Sequence, residues 1–481
     1  MRVLQVCAEI FPLLKTGGLA DVAGALPAAL ALAGAQPRVL LPGFAPILAG
    51  LSNARTVATL PARGQVPAAQ LLLGDLAACG VQAYVVDSPA LYQREGGPYA
   101  DAQQRPFTDN HLRFARLCWA AADLAQGADA AWRPELVHAH DWHAGLTPAC
   151  LQAVGAHVPA VYTVHNLAYQ GSFSADQYRQ LGLPELYFQP DGLEFHGTLN
   201  FMKAGLHYAQ RITTVSPTYA REIQHPEQGM GMDGLLRARA DVLTGILNGV
   251  DEAVWHPAMD ALIAANYDAK KLAGKARCKA ALQQQLGLAE DAAAPLFTVV
   301  SRLTEQKGLH LVLATLPQLI ARGAQFALLG TGDAPMQEAF RAAAAAHPQA
   351  VSVRIGYDEP FAHQLIAGAD IIMVPSHFEP CGLTQLYGLA YGTMPLVRRV
   401  GGLADTVTDC SLEALDEGRA TGVVFEAFSE DGLDAGIRRA LALYRRRSEW
   451  RAVQRTAMAQ RHDWAEAAQQ YLAVYRQALA S

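Results

Sequence analysis

From its first residues this chain alternates short apolar runs with helix-period segments, and the alternation restarts once. Val3 to Cys7, Arg38 to Leu41, Leu136 to Ala139 and Ala160 to Val164 read as strands, with Ala20 to Ala33 as an intervening helix. Continuous apolar runs are what a parallel sheet of β-α-β units requires, because a strand covered by helices on both faces has no solvent side. After a polar, helix-like stretch from Tyr267 to Gly287 the pattern returns, with Leu296 to Ser301, Phe326 to Gly330 and Asp370 to Pro375 as strands and His310 to Arg322 as a helix. A second α/β domain therefore begins near Pro295 or somewhat earlier. The turn signal Asn248-Gly249-Val250-Asp251, after the apolar Val242 to Leu247, is the best hinge. At the C terminus Trp464, Ala468, Tyr471, Leu472, Tyr475 and Leu479 fall at helical spacing behind a candidate cap, Asp463, and read as a packing stripe.

With 481 residues, 51% hydrophobic and 17% charged, the chain can fill two large cores and is not disordered. Its net charge of −6 excludes a strongly basic nucleic-acid surface. Seven cysteines without a C-x-x-C pair argue against a disulfide framework or structural zinc, and fit a reducing cytoplasm. No signal-peptide pattern opens the chain. The uncharged stretch between Asp21 and Arg38 holds Pro27 and Pro37 and falls short of the roughly 18 apolar residues that span a bilayer, so no membrane partner is expected.

The string Lys15-Thr-Gly-Gly-Leu-Ala-Asp-Val22 lies between the first strand and the first helix, where open parallel sheets hold ligands. Gly17 and Gly18 let the backbone approach a phosphate, the helix turns its N–H groups to the anion, and Lys15 adds a charge. The glycines alone are weak evidence, since any such turn needs them; neither G-x-G-x-x-G nor G-x-x-x-x-G-K-[ST] occurs, which speaks against NAD and P-loop nucleotides. Arg302 and Lys307, five residues apart across a strand-to-helix turn, can reach one pyrophosphate; in isolation they would be solvated charges. Glu379 sits in a loop between Pro375 and Pro380, ahead of Gly382 to Thr384 at a helix start. Leu329-Gly-Thr-Gly-Asp333 either clears room for a nucleotide or is a plain tight turn. His138-x-His140-Asp141-x-His143 is a weak metal candidate, because the Asp falls one position early for a zinc hydrolase, and no D-x-D occurs anywhere.

Taken whole, the Lys15 string resembles that of bacterial glycogen synthases and plant starch synthases. The resemblance continues through His138 to His143, Tyr162-Thr-Val-His-Asn-Leu-Ala-Tyr-Gln-Gly171, Lys203-Ala-Gly, Val215 to Glu222, Leu247 to Asp251, Ser301 to Gly308, Glu379-Pro-Cys-Gly-Leu-Thr-Gln385 and Gly401 to Val407. It implies an α/β protein with two Rossmann-like domains facing across a cleft, the GT-B fold. These would be residues 1–248 with the C-terminal helix 460–481 packing back on them, and residues 249–459. It also implies transfer of glucose from ADP-glucose to an α-1,4-glucan such as glycogen or maltodextrin, with retention, without cofactor or metal.

The same resemblance assigns Lys15, Arg302 and Lys307 to the diphosphate and Glu379 to the sugar. His165 and Asn248 fall to the transferred glucose, Asp141 to the sugar side of the cleft, and Tyr357 to the adenine; the Cys381-Gly382-Leu383-Thr384 segment, at a helix start, offers backbone N–H groups to sugar or phosphate. Trp142, His143 and Tyr99 fall to the acceptor. Many relatives on this fold have a second Glu eight positions after the first; here that place is Tyr387, which leaves Asp21 as the ribose candidate. Three further departures are His377, Val400 and His462-Asp-Trp464. Glu379, His165 and Tyr357 each also have a purely structural reading, as a solvated charge, a hydrogen-bonded histidine and a core aromatic.

Overall fold

The computed structural model describes residues 1–77 and 79–481. The chain divides into two compact units, Met1–Gly249 with Trp464–Ser481, and Val250–Asp463. In the first unit run β1 (Arg2–Val6), β2 (Gln36–Pro42), β3 (Leu51–Leu60), β4 (Ala69–Leu76), β5 (Val81–Asp87), β6 (Leu136–His140) and β7 (Ala160–Val164). A small sheet of β8 (Ser172–Ser174), β9 (Glu194–Phe195) and β10 (Thr198–Asn200) precedes β11 (Arg211–Thr214) and β12 (Leu243–Gly245). Among the described residues the main sheet has the order β12-β11-β7-β6-β1-β2-β5-β4-β3. From β12 to β5 all pairs are parallel, and β6 and β7 are buried along their whole length, as their apolar runs require. At the far edge β4 pairs antiparallel with both β5 and β3, a wing that alternating apolar runs do not announce. The polar Leu-Ser-Asn-Ala-Arg-Thr stretch of β3 is largely exposed, as a sheet edge permits.

The C-terminal helix, Trp464–Ala480, buries Trp464, Ala468, Tyr471, Leu472 and Tyr475 against the helix Gly18–Leu32 and the sheet residues Val3, Leu136 and Val161. Leu479 departs from the expected stripe and is 46% exposed.

The second unit starts well before its first strand, with the helix Ala273–Leu286 packed on the helix Glu359–Gly368. Its strands are β13 (Leu296–Val300), β14 (Gln325–Gly330), β15 (Val351–Ile355), β16 (Ile371–Val374), β17 (Met394–Arg398) and β18 (Val423–Phe425). Their order, β15-β14-β13-β16-β17-β18, is parallel throughout and is the doubly wound 3-2-1-4-5-6 arrangement. The string Gly-Gly-Leu-Ala-Asp occurs twice, at Gly17 to Asp21 after β1 and at Gly401 to Asp405 after β17, which are different places in the winding. All seven cysteines are free thiols. No described helix is long and apolar enough to cross a membrane.

Candidate functional site

Open parallel sheets present chemistry at the carboxyl ends of their strands. In the first unit β7, β6 and β1 are neighbours, and their carboxyl ends lead to His165, to Asp141 through His143, and to Glu9 and Lys15. Lys15 Nζ lies 2.9 Å from Asp21 Oδ1 and over the Phe11 ring. Gly17 caps the helix Gly18–Leu32 in extended conformation, and a Cβ there would meet nothing within 4 Å. No packing among the described residues asks for glycine at that point; an open backbone beside a lysine and a helix start is suited to an anion.

Glu9, which no motif signalled, is buried and fastens this loop. It accepts from the Thr16 backbone N–H at 2.6 Å, from the Thr16 hydroxyl and from the Tyr99 hydroxyl. Its only sequence sign is a carboxylate just past the central strand. Tyr99 stacks on His143 with centroids 4.5 Å apart, and Trp142 lies 4.2 Å from the same ring. Trp142 and Tyr99 are half-buried, both against Phe114. His143 is buried, and among the described residues neither ring nitrogen has a partner. Burial keeps its pKa well below the usual histidine range, so the ring is neutral.

Asp141 takes φ 60° at the start of the turn Trp142–Ala144 and accepts from the Trp142 N–H at 2.9 Å. Burial first, and the nearby Glu9 second, push its pKa up to about 8. The folded protein therefore holds a proton that the unfolded chain releases near pH 4, and stability falls as pH rises from about 4 to about 8. Asp141→Asn is expected to flatten that decline, worth up to about 1.4 kcal/mol per pH unit. Melting temperatures of both proteins from pH 5 to 9 check this; parallel curves would refute the buried proton.

His165 is buried, pushed down to about 3 by desolvation, and its Nε2 lies 3.0 Å from His140 Nδ1. Asn248, beyond β12, is buried with Oδ1 unpartnered among the described residues. His138 and His140 do not form a metal site: both nitrogens of each ring are engaged, by Tyr475 and Thr163 for His138 and by Gln5 and His165 for His140. Lys203 in the Lys-Ala-Gly motif is structural, donating to the Pro190 and Glu194 carbonyls.

In the second unit the loops after β13 and β16 meet. Lys307 Nζ lies 2.6 Å from Glu379 Oε2, which also accepts from Ser376 Oγ at 2.8 Å. Lys307, Ser376, Glu379, Gly382, Leu383 and Thr384 line one recess at the start of the helix Thr384–Tyr391. The Glu379 loop is held from behind: Gly402 N–H donates to the Glu379 carbonyl at 3.1 Å, and a Cβ on Gly401, at φ 43°, would sit 1.9 Å from that oxygen. The second Gly-Gly pair thus serves packing. So does Gly332, where a Cβ would meet the Leu303 carbonyl at 2.2 Å, which makes Leu329 to Asp333 a close backbone contact.

Arg302 is exposed on the same loop as Lys307. Cys381 is buried and accepts at its carbonyl from Gln385 Nε2 at 3.0 Å. Tyr357 is not a core aromatic; it is 69% exposed, with its hydroxyl on Glu359. Tyr387 is buried face to face with Trp255 at 3.9 Å, and Trp255 stacks in turn on His363 at 3.7 Å. His377 is held by backbone contacts, its N–H on Gln306 and its carbonyl on Arg398, and Val400 is buried among valines and Leu403.

Residues 2–238 match the starch synthase catalytic domain family, and residues 282–457 match glycosyl transferases group 1. The glycogen synthase of Leptothrix cholodnii is 63% identical over 100% of both chains, and that of Variovorax paradoxus 60% identical over 100% of this chain and 99% of its own. Among solved structures, the catalytic domain of starch synthase IV from Arabidopsis thaliana, bound to ADP and acarbose, superposes with a TM-score of 0.91 at 28% identity, covering 100% of this chain and 99% of that one. Sucrose-phosphate synthase from Thermosynechococcus elongatus, at 18% identity and a TM-score of 0.58 over 100% of this chain and 99% of its own, shares the fold alone. Matched end to end at these identities, the chain belongs to the glycogen synthase family and is a glycosyltransferase of the GT-B fold.

Proposed function

We propose that the chain transfers glucose from ADP-glucose to the non-reducing end of an α-1,4-glucan, glycogen or maltodextrin, with retention at the anomeric carbon, and does so in the cytoplasm. The supporting observation is the Lys307–Glu379 pair at 2.6 Å, fixed by Ser376 in a recess at a helix start. As the glycosidic bond breaks, positive charge grows on the sugar ring and negative charge on the diphosphate, and an adjacent carboxylate and ammonium meet both. The family relative bound to ADP and acarbose supports a nucleotide and a glucan-like ligand.

In this mechanism Lys15, Arg302 and Lys307 bind the donor diphosphate, Tyr357 the adenine and Asp21 the ribose. Lys15 and Asp21 are already paired at 2.9 Å, so the donor recruits both from one contact. His165, Asp141, Asn248, Glu379 and the Cys381-Gly382-Leu383-Thr384 segment orient the glucose, with Gly17 and Gly18 close to phosphate. The C1–O bond to ADP breaks while the acceptor's 4-hydroxyl oxygen bonds C1 from the same face. Its proton passes to the departing phosphate oxygen, and ADP leaves. A maltodextrin labelled at its reducing end should lengthen by α-linked glucose units. Inverted linkages, or ADP release without elongation, would overturn the assignment.

Activity is expected to survive exhaustive chelation, because the three cations supply the charge a metal ion would and the histidine nitrogens of β6 are engaged. Loss of turnover restored by added zinc or manganese would contradict this.

Trp142, His143 and Tyr99 are assigned to the acceptor. Trp142→Ala should raise the glycogen KM and leave the ADP-glucose KM within about threefold, as loss of a uniform acceptor contact does. Tyr99→Ala should raise the glycogen KM as well and, because its hydroxyl also holds Glu9 behind the Lys15 loop, raise the ADP-glucose KM beyond that limit. Both rings also pack on Phe114, so some loss of melting temperature accompanies either change. A lower melting temperature with an unchanged glycogen KM would leave the residue to the core.

A further inference from the structure

The C-terminal helix reads as packing, yet one of its residues carries a buried hydroxyl into the histidine cluster. Tyr475 OH accepts from Gln5 Nε2 at 3.0 Å and meets His138 Nδ1 at 2.7 Å. Gln5 Oε1 meets His140 Nε2 at 2.7 Å, and His140 Nδ1 meets His165 Nε2 at 3.0 Å. Beside this chain, His138 Nε2 meets Thr163 Oγ1 at 2.6 Å. All these groups are buried and belong to the first unit. We infer that Tyr475 and Gln5 are positioning residues that fix, through His140, which nitrogen of His165 carries its proton, leaving His165 Nδ1 as a bare acceptor for a hydroxyl of the donor sugar.

The assignment follows from counting protons. Burial holds His138, His140 and His165 neutral, so each ring has one N–H and one lone pair. An amide oxygen only accepts, so the His140 proton sits on Nε2, facing Gln5. His140 Nδ1 is then a lone pair, and the hydrogen bond to His165 takes its proton from His165 Nε2. Tyr475 OH, already accepting from Gln5, sends its own proton to His138 Nδ1, and His138 donates from Nε2 to Thr163. Each proton is used once. A reversed Gln5 amide would turn every bond around and place the His165 proton on Nδ1. Gln5 as it stands, with Nε2 on the Tyr475 hydroxyl and Oε1 on His140, is the first state; the hydroxyls of Tyr475 and Thr163 can serve either direction, so the His165 tautomer reports the Gln5 orientation. The role given to His165 Nδ1 rests on the proposed sugar contact; the tautomer itself does not.

Nitrogen-15 NMR of the full chain with labelled histidine, with the His165 signals identified by their loss in His165→Ala, reads the tautomer without reference to activity. Wild-type His165 is expected as the Nε2–H form. Tyr475→Phe keeps the ring and removes the hydroxyl, and Gln5→Met removes the amide at similar volume. Both should mix the His165 tautomers and lower kcat/KM for ADP-glucose about tenfold, the size of one hydrogen bond. Val474→Ala thins the packing of the same helix without touching the chain, and should keep both the Nε2–H form and kcat/KM within about twofold of wild type. Wild-type His165 protonated on Nδ1 would overturn the proposal. So would unchanged His165 signals in both Tyr475→Phe and Gln5→Met, whatever their activity. Tautomer mixing without any fall in kcat/KM would leave the positioning in place and remove His165 from the sugar, which separates the two failures.

Discussion

Glu379→Ala is expected to lower turnover at least about a hundredfold while the protein still folds, the size typical of losing a preorganised electrostatic contact. Both contacts that fix Glu379 fall on Oε2, from Lys307 Nζ at 2.6 Å and Ser376 Oγ at 2.8 Å. In the proposed mechanism this leaves Oε1 for the sugar. In the same proposed mechanism the carboxylate meets charge that is larger in the transition state than in the ground state, so its removal is expected to act on kcat more than on KM. Glu379→Gln keeps the shape and the Ser376 contact and loses the charge, and should be nearly as impaired. Single-turnover rates on variants with a wild-type circular dichroism spectrum check this. A folded variant retaining more than about a tenth of wild-type turnover would remove Glu379 from the mechanism, since that is less than about 1.4 kcal/mol of barrier.

Lys15→Ala should be of comparable size, again at least about a hundredfold. Lys15 is held by Asp21 and the Phe11 ring beside the open backbone of Gly17. In the proposed mechanism its ammonium meets the charge that accumulates on the departing diphosphate. The Lys15–Asp21 pair is partly solvated, so its loss costs little stability and the variant should melt within a few degrees of wild type. Lys15→Arg keeps the charge on a differently shaped group and should recover part of the rate. Near wild-type turnover in Lys15→Ala would assign the diphosphate to Arg302 and Lys307 alone.

The parallel sheets were legible because strands such as Ala160–Val164 and Leu296–Val300 are apolar runs bounded by turns. The antiparallel wing was not, since β3 lies at an edge, carries polar residues on both faces and breaks register against β4. Lys15, Arg302, Lys307 and Glu379 were visible as members of strings around glycine turns. Glu9 was not, because its partners Thr16 and Tyr99 come from two different loops. The Tyr475–His138 contact spans 337 residues of chain, and a periodic apolar stripe gives no sign that one of its rings also ends in a used hydroxyl. Tyr357 is the reverse case. An aromatic after a β-strand invites burial, and only the structure shows it exposed beside Glu359.

The most direct test of the proposed activity is incorporation of labelled glucose into glycogen by the wild-type chain, from ADP-glucose and from UDP-glucose in parallel. Incorporation from ADP-glucose is expected, with kcat/KM at least about tenfold above that for UDP-glucose, or about 1.4 kcal/mol of discrimination. Equal or better use of UDP-glucose would contradict the donor assignment, and nucleotide release without incorporation would contradict glucan synthesis itself.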